Sequence, residues 1–498
     1  MFFFKSLHPL SKYPLYLLLL LVLSGTCFSQ TVQEELKWNQ LYDSTNSYLN
    51  SEDYESALQF AEKAASLAED KFGAADSNYC KSLKLIYEIY YNLWDTDQSI
   101  NWAGKYSKAA KICYGEFTKE YISAITDLAY LYELKEDIPK ADSLYQKVLE
   151  LNDGYYDGVN PQYAKSIQDI ASFYRSINDN SQASKLYEES LQMMHRLYPE
   201  GNKEIAISAV NLATFYKNQG EFEKADSLYM ESVEIAAMFF DENDKTFANI
   251  LNNAAVFFDI RGKYDQAENL YSKALRIYRE IYKEDHPDLA AGILNNAGFY
   301  SRQNKNEKAE DIYLEALDMY RRIHYGDHPD LAVCLNNIGA FYDGLGNTEK
   351  AGQYYSESLE MSRRLNDGHD PSLATSIANM GYFYYNRGKY AEAEGFFEEA
   401  LEMRRKLYQK DHPDLANSIN NMAAFYESMG KLREAESLYR EALGMRRRIY
   451  KKDHPGIALS MNNLAAFYES AGRYDEAENL LEESLAMRRR LFIYDHPE

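Results

Sequence analysis

Histidines and carboxylates recur beside proline in the second half of the chain, and such side chains could bind a metal or perform acid–base chemistry. The motif opens at Asp285, Asp327, Asp411 and Asp453, whose numbers differ by multiples of one constant period. A metal ladder would use His286, His328, His412, His454 and His496. Copies on adjacent repeats would lie roughly 8–10 Å or more apart, whereas zinc holds its ligands at about 2 Å. We therefore predict that these histidines form no metal site.

The proline of this motif indicates a structural turn between repeats. Proline suits the first position of a helix, because its missing N–H would be unpaired there in any case. The aspartates that open the motif are expected to accept N–H groups of the helix start. One copy has the order His369, Asp370, Pro371. The sequence contains no HExxH, nucleophile-elbow, P-loop or paired CxxC motif, and we predict no catalytic residue and no cofactor.

A strict period organises the elements that carry this motif. From Ala57 to Ala477 an alanine stands at the same position of every repeat, with Ser99 as the one exception. Within one unit, the apolar residues from Ile419 to Tyr426 follow the i, i+3, i+4, i+7 spacing of a helix with one buried face. Gly430 then marks a helix stop and a turn. The predicted fold class is all-α, with about eleven stacked helix–turn–helix units.

The small and aromatic residues at these offsets resemble the tetratricopeptide repeat. The 42-residue unit, with NNLAAFYESAGRYDEAENLLEESL (462–485) and DHPD, is similar to the repeats of kinesin light chain. The resemblance covers about residues 38–498; it is strong from 248, fair from 121 and weak before that, where Ser99 and Ala103 depart from the pattern. It implies a right-handed superhelical solenoid that binds protein segments in its concave groove, and it implies no chemistry. We divide the chain into a signal peptide (1–29), divergent repeats (30–120) and regular repeats (121–498).

Asparagine recurs at one register in the middle of the first helices. The seven positions are Asn211, Asn253, Asn295, Asn337, Asn379, Asn421 and Asn463. Asparagine is a poor helix former, and this register falls off the packing face. In the resembled family this face lines the groove, and an asparagine here binds the backbone of a bound segment. A side-chain amide offers both a donor and an acceptor, so we predict peptide-binding residues; the alternative is that each amide bonds the neighbouring repeat.

The N-terminal segment, 1–29, has the features of a secretory signal peptide. Lys5 and Lys12 precede an apolar run at 15–23, and small residues at Cys27 and Ser29 suit cleavage before Gln30. The apolar run is shorter than the roughly 20 residues of a membrane span. We expect an exported protein, periplasmic or secreted, with no membrane span in the mature chain; an uncleaved anchor is the alternative.

Charge and cysteine content restrict the partners further. Without the two signal lysines the chain has 52 basic and 77 acidic residues, a balance that repels nucleic acid. Cys80 opens the first helix of its repeat and Cys113 closes the second. These ends are neighbours in an antiparallel hairpin, and an oxidising compartment would permit a disulfide there. Two buried thiols are the alternative.

These observations predict a non-enzymatic scaffold whose partner is a protein or peptide ligand. Two other hypotheses remain open. The array could be the sensory part of a larger signalling or peptidase protein that continues beyond Glu498, or it could be a structural rod that associates end to end. Both follow from the closing sequence DHPE, which opens a further repeat without a polar capping helix.

Overall fold

The computed structural model describes residues 13–156, 158–365, 370–408 and 410–491, with side chains from residue 32 onward. The predicted signal peptide therefore lies outside the residues whose side chains are described, and His369 and His496 lie outside the described residues altogether. Across the part that is described, no helix is both long enough and apolar enough to cross a bilayer.

The described residues form 22 helices and no strand, which confirms the all-α prediction. The first helices of the hairpins are α1 Tyr13–Asn50, α3 Ser77–Asn92, α5 Lys119–Leu134, α7 Pro161–Ser176, α9 Lys203–Asn218, α11 Lys245–Ile260, α13 Pro287–Arg302, α15 Pro329–Gly344, α17 Pro371–Tyr385, α19 Pro413–Ser428 and α21 Pro455–Ser470. The second helices are α2 Tyr54–Lys71, α4 Thr96–Tyr114, α6 Ile138–Tyr155, α8 Asn180–Leu197, α10 Phe222–Phe239, α12 Tyr264–Ile281, α14 Asn306–Ile323, α16 Thr348–Leu365, α18 Tyr390–Leu407, α20 Leu432–Ile449 and α22 Tyr474–Leu491.

The turn inside each hairpin places one residue in the left-handed backbone region. The eleven residues with this positive φ are Glu52, Trp94, Glu136, Asn178, Gly220, Gly262, Asn304, Gly346, Gly388, Gly430 and Gly472. They follow the period of the sequence without a gap, so the same turn recurs in every repeat. Glycine occupies this region without steric cost, whereas a side chain at Cβ makes it unfavourable.

Small and aromatic residues interlock the helices. The alanine register is fully buried, as at Ala267, Ala309 and Ala393, so two helices approach closely at each of these points. The aromatic residue four positions later packs across to the next repeat, as Tyr313 does against Phe341, with ring centroids 5.2 Å apart. Aromatic pairs of this kind stabilise beyond their buried area. Each repeat therefore buries its apolar face only against its neighbour.

The structure divides into two compact units, Met1–Leu186 and Tyr187–Glu498. Within the second unit, first helices of adjacent repeats contact one another directly, α9 with α11, α11 with α13, α13 with α15 and α15 with α17. Among the described residues no pair of second helices packs as closely. The first helices of the second unit therefore line its concave side.

The second unit also contacts itself across a full superhelical turn. The turn between α9 and α10 meets the turn between α20 and α21, where Lys452 forms an ion pair with Glu221 at 2.9 Å. The His454 Nε2 atom lies 3.3 Å from the Asn218 carbonyl oxygen. A Cβ atom on Gly220 would approach His454 and Pro455 to 2.9 Å. These contacts join residues 231 to 236 positions apart, or about five and a half repeats.

Candidate peptide-binding groove

The seven predicted asparagines all lie on first helices of the second unit. Asn211 and Asn253 are exposed, and the other five are half-buried. Because the first helices line the concave side, these amides form one continuous row along it. The structure thus brings the predicted residues together on one surface, and the binding of a peptide there stays a prediction.

Three of these amides bond the neighbouring repeat. The Nδ2 atom of Asn295 donates to the Asn252 Oδ1 atom at 3.4 Å. Asn379 donates in the same way to Asn336 at 2.9 Å, and Asn463 to Asn420 at 2.9 Å. Each acceptor is the first asparagine of an Asn-Asn pair in the preceding repeat. These Asn-Asn pairs are visible in the sequence. In the described part of the chain, no side chain donates to the Oδ1 atoms of the three donors.

Asn337 and Asn421 differ, because the preceding repeats have Leu294 and Ala378 where an acceptor would stand. Asn421 instead accepts a hydrogen bond from the Tyr382 hydroxyl. Asn337 has no hydrogen-bond partner among the described residues, and it lines a cavity of about 420 Å³ together with Asn295. The Asn337 amide and the Asn295 amide oxygen are therefore available to a bound segment.

The wall of the same cavity contains a buried hydroxyl without a partner. Tyr271 is 2% exposed, and its hydroxyl has no hydrogen bond among the described residues. In other repeats this tyrosine donates to a carboxylate, as Tyr439 does to Glu427 at 2.9 Å. The equivalent carboxylate, Asp259, is bonded by Arg302 instead. Burial raises the pKa of Tyr271, and it therefore stays a protonated donor.

Three acidic residues on this surface already have hydrogen-bond partners. The buried Asp259 carboxylate accepts from Arg302 Nε at 3.0 Å, and Asp343 accepts from Arg387 at 2.7 Å. Glu427 accepts from the Ser470 hydroxyl at 2.9 Å. Arginines from the following repeat neutralise two of these carboxylates. The carboxylates therefore give little support for a basic ligand.

The motif histidines cap first helices. The His286, His328, His412 and His454 Nδ1 atoms accept the backbone N–H two residues later, at 2.9–3.2 Å. Other repeats carry ordinary capping residues at the same register: Asp76, Thr118, Asn160, Asn202, Asp244 and Asp370. The prediction of a turn is confirmed, and the expectation that the preceding aspartates accept the helix-start N–H groups is wrong.

Those aspartates bind arginines at the end of the second helix of the hairpin that they open. Asp285 accepts from Arg322, Asp327 from Arg364, and the equivalents at Asp411 and Asp453 do the same. The neighbouring guanidinium holds the pKa of Asp285 below its usual value. The carboxylates therefore join the start of one hairpin to its end, while the histidine next to them starts the helix.

One histidine cluster has the composition of a metal site. His324, His328 and Asp330 present ligand atoms within 4.8 Å of one another. The two imidazole rings are stacked, with centroids 3.4 Å apart, so their in-plane lone pairs run parallel instead of converging. The His328 Nδ1 lone pair is also occupied by the Asp330 N–H. Zinc requires lone pairs that converge tetrahedrally, and this arrangement fits a capped turn better.

Cys80 and Cys113 are thiols in the structure. Burial, followed by the neighbouring Cys113 side chain, raises the pKa of Cys80 to about 12. The two side chains are therefore neighbours in the first unit, as the hairpin geometry predicted. A disulfide between them stays a prediction.

Comparison with known proteins identifies the repeat. A family model described as tetratricopeptide repeat matches residues 121–195, 289–364, 371–448 and 414–490. A second model with the same description matches residues 205–238 and 247–288. A comparison with curated proteins found no match.

Comparison with solved structures found several similar chains. BtubC (BKLC) from P. vanneervenii is 24% identical over 47% of this chain and 94% of that chain, with a TM-score of 0.40. Kinesin light chain TPR-like repeats from Podosopora anserina are 20% identical over 41% of this chain and 98% of that chain, with a TM-score of 0.35. A Rap protein complexed with Competence and Sporulation Factor is 15% identical over 75% of this chain and 99% of that chain, with a TM-score of 0.48. Since the first family model alone matches more than half of the residues, the chain belongs to the tetratricopeptide-repeat family.

Proposed function

We propose that this protein is a non-enzymatic scaffold that binds an extended segment of a partner protein along the concave side of its second unit. Tetratricopeptide repeats typically serve as non-catalytic platforms for protein–protein interaction. The observation that carries the proposal is the row of amides on the first helices, of which three are oriented by bonds to the neighbouring repeat. Their amide oxygens receive no hydrogen bond from a described side chain and can accept from the backbone N–H groups of a bound segment.

The spacing of the row suits an extended chain. Adjacent helices pack roughly 8–10 Å apart, which matches about three extended residues at about 3.3 Å each. An amide can accept from a backbone N–H and donate to a backbone carbonyl. Each such bond contributes about 0.5–1.5 kcal/mol, so useful affinity requires several rungs. Contacts with a peptide backbone do not distinguish one peptide sequence from another. A preference for particular peptide side chains would arise at variable positions of the groove, such as the cavity beside Tyr271.

Selection from a random peptide library tests the proposal with the full-length chain. Peptides of about twelve residues, roughly 40 Å long when extended, would be displayed on phage and selected for binding. The test variant combines Asn337→Ala with Asn421→Ala, because neither amide bonds an amide of the preceding repeat. We expect selected peptides to bind this variant at least tenfold more weakly, and its melting temperature to fall by no more than the loss of the single Tyr382–Asn421 hydrogen bond explains.

Asn479→Ala is the matched control, because Asn479 is an exposed asparagine on the second helix α22. We expect this variant to bind the selected peptides as the parent does. Unchanged affinity in the double variant would contradict the proposal. A lower melting temperature with intact binding would assign the amides to the stability of the array.

We also propose that the scaffold acts outside the cytoplasm, on the basis of the signal-peptide features of residues 1–29. The intact mass of the native protein tests this. A mature chain that begins at Gln30 supports export, and a chain that retains residues 1–29 contradicts cleavage.

A further inference from the structure

A second cavity lies on the opposite side of the array from the asparagine row. It has a volume of about 490 Å³ and opens between the second helices α12 and α14, and the first helix α13 forms its floor. Its apolar lining comes from Leu275, Ile312 and Tyr300. The polar lining includes Asn296, Arg276 and Glu280. None of these residues belongs to the groove described above.

Asn296 is a polar residue at a position where every other repeat is apolar except the first, which has Ser44. The same register holds Ile86, Leu128, Ile170, Leu212, Ala254, Ile338, Met380, Met422 and Leu464. Asn296 is only 4% exposed, and its Oδ1 atom has no hydrogen-bond partner in the described part of the chain. A buried carbonyl oxygen without a partner costs about 1–3 kcal/mol. The array therefore carries a cost here that a leucine would avoid, and the acceptor faces a cavity.

Arg276 is the second departure at the same cavity. Most repeats of the second unit carry an acidic or small residue at its register: Glu234, Asp318, Glu360, Glu402, Gly444 and Ala486. No described residue forms an ion pair or a hydrogen bond with Arg276, and the same is true of Glu280. The other charges around the cavity are paired, Arg279 with Glu315 at 2.8 Å and Lys308 with Glu268 at 4.0 Å. One cation and one anion are thus left over among the described residues.

These unpaired groups specify a ligand. Arg276 can bind a carboxylate, for which a guanidinium is the preferred partner. The buried Asn296 oxygen requires a hydrogen-bond donor, which an ammonium group supplies, and the exposed Glu280 carboxylate can accept from the same group. Leu275, Ile312 and Tyr300 offer an apolar surface beside them. A small pocket with an apolar wall and a few convergent polar groups is the usual form of a small-molecule site.

We propose that this cavity binds a free α-amino acid with an apolar side chain. Its carboxylate pairs with Arg276, its ammonium group donates to Asn296 and Glu280, and its side chain packs against the apolar wall. The site is independent of the peptide groove, because it lies on the other face of α13.

Isothermal titration calorimetry of the full-length chain, with L-leucine added to about 10 mM, tests the proposal. We expect saturable binding with one site per chain. L-Leucinamide lacks the carboxylate and N-acetyl-L-leucine lacks the ammonium group, so both are expected to bind at least tenfold more weakly. The Asn296→Leu variant introduces the residue found at this register in other repeats, and Arg276→Glu introduces the usual charge. Each should weaken leucine binding at least tenfold.

The Asn479→Ala variant is the matched control, since it removes an exposed asparagine on α22 that lines neither this cavity nor the peptide groove. It should bind leucine as the parent does. Asn296→Leu is expected to melt at or above the parent temperature, and Arg276→Glu changes only an exposed side chain, so loss of binding would not reflect unfolding. Absence of saturable binding to the parent, or unchanged binding in both site variants, would overturn the proposal.

Discussion

The capping histidines show how a neighbour can give a residue an unusual role. Histidine is not among the preferred helix N-caps, yet His412 accepts the Asp414 N–H at 3.2 Å. Tyr408 stacks on its imidazole ring with centroids 3.6 Å apart, which holds the Nδ1 atom toward the helix start. Burial lowers the pKa of His412, and the neutral ring keeps its acceptor lone pair.

Substitution of His412 tests the capping role. His412→Ala removes the acceptor, and we expect a loss of about 1 kcal/mol in the free energy of unfolding. His412→Asn should restore most of it, because asparagine is a good N-cap and Asn160 has this role in α7. Chemical denaturation of the three proteins measures the difference. If the asparagine variant were as unstable as the alanine variant, ring stacking would be the dominant contribution of His412.

The asparagine row marks the limit of prediction at the residue scale. Its period predicted a shared face, and the structure places all seven residues on the concave side. The bonds between repeats depend on the residue before each asparagine, such as Asn252 and Asn336. The arginine partners of Asp259 and Asp343 come from the following repeat, one or two positions beyond a full period. Sequence spacing alone does not reveal which of two adjacent polar side chains reaches across to the next helix.

At the scale of elements, the turn inside each hairpin is one conformation carried by different residues. Gly430 predicted this turn from the sequence, and the structure extends it to positions without glycine, including Trp94, which is 89% exposed. A side chain in the left-handed region costs roughly 1–2 kcal/mol. Packing of the two helices imposes the turn on these repeats in spite of that cost.

This conformation predicts a stabilising substitution. Glu136 is exposed and has a φ of 60°, and we expect Glu136→Gly to raise the stability of the first unit by about 1 kcal/mol. The reverse change at the same register, Gly430→Glu, should lower stability by a similar amount. Denaturation midpoints of the two variants and the parent would show the opposite shifts. If Glu136→Gly lowered stability and Gly430→Glu raised it, the entropy that glycine adds to the unfolded chain, and not the backbone conformation, would govern the effect.

At the scale of the whole second unit, the contact between the α9–α10 and α20–α21 turns depends on the ionisation of His454. Burial, reinforced by the positive charge of Arg446, lowers the pKa of His454 to about 4, and the hydrogen bond to the Asn218 carbonyl oxygen opposes this. The charged groups beside it are Lys452 and Glu221. The neutral ring is therefore part of the closed arrangement.

Acidification is expected to open this contact. A solvated histidine has a pKa of about 6.5, so the open form binds more protons than the closed form between about pH 6.5 and 4. The free energy that favours closure is complete above about pH 6.5 and falls as the pH decreases toward 4. Small-angle scattering should show a larger radius of gyration at about pH 5 than at about pH 7.5.

Two variants separate His454 from general effects of charge. His454→Asn keeps an N-cap for α21 and removes the titrating ring, so its radius of gyration should not change across this range. Lys452→Glu places a like charge against Glu221 and should open the contact at both pH values. If His454→Asn responded to pH as the parent does, another group would control the contact.

The contact between turns could not be predicted from the sequence. Periodicity specifies which faces of neighbouring helices pack, and the curvature of a solenoid follows from a small rotation added at every repeat. A change of a few degrees in that rotation would separate Gly220 from Pro455, which now lie in close contact. No local sequence pattern predicts the total rotation that accumulates over several repeats.

The contact between turns gives a physical meaning to the constant length of the repeats. Because about five and a half repeats separate its two sides, an insertion of a few residues in any hairpin between them would alter the phase at which they meet. A duplication of one whole repeat would preserve the phase and present Lys410, His412 and Pro413 in place of Lys452, His454 and Pro455. The second unit can therefore evolve in steps of one whole repeat, whereas smaller changes in length would disrupt its closure.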